Sequence, residues 1–262
     1  MKIIVCVKQV PDTNEVRIDP VKGTLVREGV PSILNPDDKH ALEAALRFKD
    51  ADPAARIVVL SMGPPQAEEA LRECLAMGAD EAILLSDRAF AGADTWATSN
   101  TLAAALRKIG DYDLVFAGRQ AIDGDTAQVG PQLAERLGIP QVTYVQRIER
   151  RDGKLTVERQ LEDGHEVIEV GLPCLLTAIK ELNEPRYMSV GGIYDAFGEK
   201  TVAVWGLKDL GVSPDQVGLE ASPTQVQRSF TPEPKGQAVR LSGTAAEMAE
   251  ALVGSLAHRH VI

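Results

Sequence analysis

The sequence has few cysteines, and their spacing excludes two classes of protein. The 262 residues include only Cys6, Cys74 and Cys174, which lie far apart and form no Cys-x-x-Cys pair. They indicate reduced core thiols rather than a disulfide framework or a metal site. The four histidines show no ligand spacing either, so we assign no metal ligand.

The sequence also lacks a basic excess and a long apolar run. Its formal net charge is -10 and its pI is near 5.0. Nucleic acids and anionic membranes select a basic footprint, so the charge argues against both as partners. Without an 18-residue apolar stretch or a signal-peptide core, we expect no membrane insertion and a cytoplasmic location.

Apolar strands alternate with helical segments through the first half of the chain. Near-continuous apolar strands between helices indicate an α/β fold with a doubly wound, mostly parallel, Rossmann-like sheet. Asn35 is predicted to cap the first helix, with Pro36 at its first position. We predict strands at 2–8, 56–62, 81–86 and 112–117, helices from 36, at 66–77 and at 95–109, and a short excursion formed by 16–19 and 24–26.

The second half departs from this alternation. Strands at 142–145, 154–159 and 166–170, with turns at 151–153 and 162–164, predict a β-ribbon elaboration near 142–170, followed by a buried strand at 174–179. We assign residues 1–206 to one α/β nucleotide-binding domain. From 207 to 262 prolines and glycines interrupt the pattern, and only 244–256 regains helical periodicity. This arm either straps its own domain or buries its apolar residues on another subunit.

The stretch 118–131, Gly-Arg-Gln-Ala-Ile-Asp-Gly-Asp-Thr-Ala-Gln-Val-Gly-Pro, is the candidate ligand site. It joins a buried strand to a helix, and a helix that begins near Thr126 would offer unpaired amides to a phosphate. Gly124 lets the backbone approach a bulky anion. Neither a Gly-x-Gly-x-x-Gly nor a Walker motif is present. In the alternative interpretation Asp125 only caps the helix and Gln128 completes a capping box.

Ligands of parallel sheets bind at the carboxyl ends of the strands. Three loops leave such ends, at 6–12, 62–65 and 118–125. We therefore expect these loops to converge on one ligand.

Five blocks along the chain resemble the β subunit of electron transfer flavoproteins, including the FixA-type and bifurcating members. They occur in the family's order and cover essentially the whole chain. The blocks are Val-Lys-Gln-Val-Pro-Asp at 7–12, Asn-Pro-Asp-Asp at 35–38, Ala-Met-Gly-Ala-Asp at 76–80, Gly-Arg-Gln-Ala-Ile-Asp-Gly-Asp at 118–125 and Leu-Asn-Glu-Pro-Arg-Tyr at 182–187.

The resemblance implies a heterodimer with an α subunit that carries FAD and that the arm 207–262 contacts. In one group of the family the β subunit holds AMP as a structural ligand. In the bifurcating group it holds a second FAD, which takes a hydride from NADH and sends its electrons separately to two acceptors. The implied further partners are a dehydrogenase and a ferredoxin or quinone reductase.

The family's nucleotide contacts map onto the strand-end loops of this sequence. Asp38 or Asp123 would accept hydrogen bonds from ribose hydroxyls, and Arg119 is a candidate for stabilising reduced flavin. We assign no catalytic residue. The mapped contacts are Cys6, Asn35, Pro36, Asp37, Asp38, Met62, Ala121, Ile122, Asp123, Gly124, Asp125, Thr126, Ala127, Gln128, Val129, Gly130, Pro131 and Gln132.

Two choices within the family rest on local sequence. The loop from Asp123 to Pro131 is similar to that of the bifurcating members, and Gly124 leaves room for a second phosphate, so FAD is favoured over AMP. Met188 and Val190 fall in the segment with which the family docks onto a dehydrogenase. Val190 is smaller than the family's usual aliphatic residue there, and the alternative is a loop that packs on its own core.

Overall fold

The structure is a computed structural model that describes residues 1–12, 31–151, 153–227, 236 and 238–262. The predicted excursion at 16–19 and 24–26, and residue 152 of a predicted ribbon turn, lie outside the described residues. The chain divides into two compact units, Met1–Gln227 and Arg228–Ile262.

The first unit contains strands and helices at the predicted places and in the predicted order, with further short elements between them. Its strands are β1 (Lys2–Cys6), β2 (Gln9–Pro11), β3 (Ser32–Leu34), β4 (Arg56–Met62), β5 (Glu81–Leu85), β6 (Leu114–Gly118), β7 (Gln141–Arg151), β8 (Lys154–Gln160), β9 (His165–Val170), β10 (Cys174–Ala178) and β11 (Val202–Trp205). Its helices are α1 (Pro36–Ala51), α2 (Glu68–Met77), α3 (Thr95–Ile109), α4 (Val129–Leu137), α5 (Val190–Gly198) and α6 (Leu207–Leu210).

One nine-stranded sheet organises this unit, in the order β11-β5-β4-β1-β6-β10-β7-β8-β9. Neighbours from β11 to β7 run parallel, whereas β8 and β9 continue the sheet as an antiparallel ribbon. The doubly wound, mostly parallel fold and its ribbon are thus confirmed. β1 lies between β4 and β6, and the chain leaves β1 and β6 toward opposite halves of the sheet, which makes this the point where such folds form a ligand crevice.

The core covers both faces of the sheet. Ile3 and Val5 of β1 face α1 and α2, whereas Ile4 faces α3 and α4, and all three side chains are fully buried. Burial of each contributes roughly 1.5–3 kcal/mol relative to exposure. Because both faces are apolar, the polar groups of the site collect at the strand ends.

Helix α5 and strand β11 were not predicted from the sequence. Gly191 and Gly192 lower the helix propensity of α5. The structure explains Gly192, since a Cβ there would clash with the carbonyl oxygen of Ala76 at the end of α2. The helix forms because this close packing buries Ala196, and Ser189 caps its first turn by accepting from the Gly192 amide at 2.9 Å. Tertiary contact here overrides local propensity.

Residues 207–227 pack within the first unit. Leu210 and Val217 join the core cluster on the α3 side of the sheet, and the Leu219 amide donates to the Ala91 carbonyl at 3.0 Å. The arm was predicted from 207, whereas the division between the units falls after Gln227.

The second unit contains the predicted C-terminal helix. Helix α7 (Ala245–His258) begins at a capping box between Thr244 and Glu247, and none of its residues is buried. Among the described residues, no helix combines the length and apolarity needed to cross a membrane.

Candidate nucleotide-binding site

The three predicted loops meet at one edge of the sheet. β1, β4 and β6 are adjacent and end at Cys6, Met62 and Gly118. Lys8 Nζ lies 2.6 Å from Asp123 Oδ1, which joins the first loop to the third. The Gln9 side chain donates to the Gln66 carbonyl at 3.1 Å, which joins the first loop to the residue directly after the second loop. The three loops therefore lie close together, whereas their convergence on one ligand stays a prediction.

Asp38 connects the ends of β1 and β6. One carboxylate oxygen accepts from the Lys8 amide at 2.8 Å, and the other accepts from the Gly118 amide at 3.0 Å. Burial raises the pKa of this carboxyl to about 7, although both amide bonds lower it. The residue is only 7% exposed, and its oxygens are occupied by the two amides. Asp38 is therefore better placed to link the two strand ends than to accept a hydrogen bond from a ribose hydroxyl.

Asn35 occupies the N-cap position of α1, as predicted, but its side chain bonds elsewhere. It stands before α1, but its side chain makes no capping hydrogen bond. Instead Nδ2 donates to the Gln120 carbonyl at 2.9 Å, and Oδ1 accepts from the Ile122 amide at 3.1 Å. The prediction of a side-chain cap was wrong because a distant loop offers both a donor and an acceptor. Pro36 occupies the first helical position, as predicted.

Helix α4 begins at Val129, so the prediction of a start near Thr126 was wrong. Asp125 and Ala127 have φ values of 53° and 52°, outside the helical region. Asp125 accepts from the Gln120 side chain, and the Gln128 side chain makes no capping hydrogen bond. The alternative capping box is therefore also wrong. Residues 121–128 form an irregular loop with local hydrogen bonds, and this loop leads into α4.

The start of α4 still faces the crevice with few free donors. The Gln132 amide donates to the Gln128 carbonyl, so helical hydrogen bonding begins there. Val129, Gly130 and Pro131 precede that point, and Pro131 has no N–H. A Cβ on Gly130 would lie 2.6 Å from Thr177 Cγ2, so glycine allows α4 to approach β10 closely.

Gly124 stands at the open tip of the loop. A Cβ built on it meets no heavy atom within 4 Å, and its φ is not in the left-handed region. Glycine is not required by the fold here, in contrast to Gly118 at the base of the loop. The space around residue 124 is consistent with a bulky group beside it.

Two carboxylates of the site lie beside cations of the same chain. Asp123 pairs with Lys8, and Arg119 Nε lies 3.3 Å from Asp37 Oδ2. Burial raises the pKa of Asp37, although the Arg119 cation lowers it. Burial also raises the pKa of the Cys6 thiol to about 12, so Cys6 contributes a neutral, apolar wall. The other two carboxylates of the site accept from amide groups, so cations balance only part of the local charge.

The segment 182–190 is fixed to the outer side of α1. The backbone and side chain of Asn183 exchange hydrogen bonds with His40, at 2.8 and 3.0 Å. Arg186 donates to the nearly buried Glu43 through its amide and its guanidinium, and to Asp50. This segment is therefore anchored, and its last residues lead directly into α5.

The outer face of α5 is apolar and exposed. Met188 is 42% and Val190 is 87% exposed, and neither is buried in the chain's own core. Sequence reasoning missed their neighbours Tyr187, Tyr194 and Phe197, which are also exposed. The signal was present, since positions 190, 194 and 197 follow helical spacing. We call these five residues, Tyr187, Met188, Val190, Tyr194 and Phe197, the α5 face.

Comparison with known proteins agrees with this architecture. Residues 22–209 match the electron transfer flavoprotein domain. The chain is 64% identical over its full length to the whole of the caffeyl-CoA reductase–Etf complex subunit CarD of Acetobacterium woodii. It is 60% identical, again over both full lengths, to the electron transfer flavoprotein subunit beta of Clostridium acetobutylicum. It is also 46% identical to the protein FixA of Azorhizobium caulinodans, covering 99% of this chain and 95% of that protein. The chain therefore belongs to the electron transfer flavoprotein family as a β-type, FixA-like subunit.

Proposed function

We propose that this β-type subunit binds FAD in the crevice between the loops after β1, β4 and β6. The position of Asp38 is the main support for the proposal. Its carboxylate links the ends of β1 and β6, from which the chain leaves toward opposite halves of the sheet. The diphosphate would lie against the amides of 126–129, and the adenosine would extend toward Cys6 and Met62.

Bound FAD would supply the electron chemistry, by accepting a hydride from NADH and delivering two electrons separately. The chain's own residues bind and orient it. Gly124 leaves space beside the loop, and Asn35 holds the backbone of Gln120 and Ile122 in place. Arg119 would serve reduced flavin only if it left its pairing with Asp37.

AMP is the alternative ligand, and one observation favours it. Pro131 has no N–H, so the first turn of α4 offers few amide donors. A single phosphate needs fewer donors than a diphosphate does. In that case the only redox-active FAD of the complex would lie on the α subunit, and this chain would be a structural nucleotide holder.

The proposed partners follow from the family and from two surfaces. An α subunit completes the heterodimer, and we assign to that contact the part of the predicted arm that lies beyond the first unit, Arg228–Ile262. The α5 face would dock an acyl-CoA-type dehydrogenase, since CarD carries the name of a caffeyl-CoA reductase complex. A ferredoxin or quinone reductase would accept the electrons.

Mass analysis of nucleotides released from the purified heterodimer tests the proposal. Two FAD per heterodimer supports bifurcation, one FAD plus one AMP supports the alternative, and one FAD without AMP contradicts both. Gly124→Glu should lower FAD occupancy by crowding the diphosphate and adding like charge. Gly124→Ala is the control, and equal FAD content in both variants would exclude the proposed pose.

A further inference from the structure

A groove with a volume of about 280 Å³ lies between the first turn of α3 and the first two turns of α4. Three of its five lining residues are polar or charged, but its exposed lining surface is mostly apolar and includes one large aromatic ring. The lining residues are Trp96, Pro131, Gln132, Glu135 and Arg136. Trp96 is 52% exposed, an unusual position for an indole that follows a helix cap at the carboxyl edge of a sheet.

A cation covers one face of the Trp96 indole. The Arg136 guanidinium carbon lies 4.2 Å from the centroid of its ring. Arg136 is itself fixed, because its Nε donates to Ser99 Oγ at 2.9 Å and its Nη2 donates to the Trp96 carbonyl at 3.0 Å. A ring fixed in this way loses little further freedom when a second ring stacks on it.

The groove is continuous with the proposed nucleotide loop. Thr95 Oγ1 donates to Gln128 Oε1 at 2.9 Å, which joins the start of α3 to the end of the loop. Pro131 belongs both to the first turn of α4 and to the wall of the groove. A ligand with its phosphates at the start of α4 therefore has the Trp96 ring beside it.

We propose that Trp96 is the stacking surface for the isoalloxazine ring of FAD in this subunit. The inference rests on the proposed nucleotide site and adds a specificity-determining residue from outside the loop. FAD has a second ring system beyond its diphosphate, whereas AMP ends at one phosphate and has nothing to place in the groove.

Titration of the nucleotide-depleted heterodimer with FAD and with AMP separates the groove from the phosphate site. For Trp96→Ala we expect the Kd for FAD to rise about tenfold, in the range of aromatic stacking, and the Kd for AMP to stay within about twofold. Trp96→Phe keeps an aromatic face and should largely restore FAD binding. Trp205→Ala is the matched control, because Trp205 also lies against a cation, Lys108, but at the other end of α3.

Each outcome decides between the alternatives. A selective loss of FAD affinity in Trp96→Ala, with Trp205→Ala unchanged, supports the proposal. Unchanged FAD affinity overturns it, and so does an equal loss for FAD and AMP, which would indicate that Trp96 supports the loop or the subunit contact. A wild-type heterodimer that binds AMP but no further FAD refutes the stacking role alone. One that binds neither nucleotide at this site refutes the proposed function as well.

Discussion

The amide of Gly118 donates to Asp38 Oδ1 at 3.0 Å in a space that would not admit a side chain on residue 118. A Cβ there would clash with the same carboxylate oxygen and lie 2.8 Å from the backbone of Asp37. The end of β6 and the first turn of α1 are therefore in direct contact. This contact sets the position of the loop that follows Gly118.

Replacement of Asp38 by Asn should destabilise the fold. The two carboxylate oxygens each accept one amide, whereas an Asn side chain offers one oxygen and would turn its own N–H groups toward the second amide. We expect the free energy of unfolding to fall by about 1–3 kcal/mol, measured by urea denaturation. An unchanged free energy of unfolding would show that the hydrogen bonds from the two backbone amides make no net contribution to stability.

The same variant gives a pH-dependent prediction. Burial raises the pKa of Asp38 to about 7, above the unfolded value of about 3.9. Between these values the folded chain holds the extra proton, so the contribution of this carboxyl is fully present below pH about 4 and is lost as the pH rises through about 7. The stability difference between the wild type and Asp38→Asn should therefore be larger at pH about 5 than at pH about 8. An equal difference at both values would contradict the raised pKa.

Gly118→Ala should be much more harmful than Gly124→Ala. The first substitution overpacks the contact with Asp37 and Asp38, and we expect a loss of about 1–3 kcal/mol in unfolding free energy together with reduced nucleotide content. The second adds a methyl group to open space, and its effect on unfolding should stay within about 0.5 kcal/mol. Thermal or urea unfolding of the two variants side by side provides the measurement. Similar losses of unfolding free energy at both positions would mean that the short contacts around residue 118 do not explain why it is a glycine.

Val190→Asp should weaken binding of an acyl-CoA-type dehydrogenase without dissociating the heterodimer. Val190 is 87% exposed at the start of α5, and a carboxylate there would have to be desolvated in an apolar contact. We expect the Kd for the dehydrogenase to rise about tenfold in a titration. Val167→Asp is the control, since Val167 is also exposed but lies on β9. An equal effect of both substitutions would argue against a dedicated α5 face.

Glu43 and Asp50 both bind Arg186 but should differ in importance. The Glu43 carboxyl is nearly buried and its pKa is lowered, because hydrogen bonds from Arg186 outweigh the burial. The Asp50 side chain is 58% exposed. Glu43→Ala should cost about 1–3 kcal/mol of unfolding free energy, and Asp50→Ala less than about 1 kcal/mol. Hydrogen exchange at the Arg186 amide should accelerate only in the Glu43 variant, and equal acceleration in both would contradict this ranking.

Local patterns determined the sheet, the ribbon and the set of strand-end loops. The strands β1, β4 and β6 are apolar apart from Lys2, Arg56 and Ser61, and this pattern suffices to place them inside a parallel sheet. The resemblance to the family then assigned Asn35–Asp38 and 121–132 to one site, and the structure joins the two segments through the hydrogen bond from the Ile122 amide to Asn35. Their binding of a nucleotide stays a prediction.

The sequence by itself determined the apolar periodicity, and hence the fold class and the edge at which polar loops would gather. Only the tertiary structure decided the partners of individual polar groups. Asn35 and Asp38 look like helix-start residues in sequence. Their side chains instead bond Gln120 and Gly118, which lie 80 or more residues away along the chain. The helix α5 likewise depends on a surface of α2 that no local window contains. The physical reason is that a buried polar group takes whichever donor or acceptor the fold brings within reach, and sequence distance has no part in that choice.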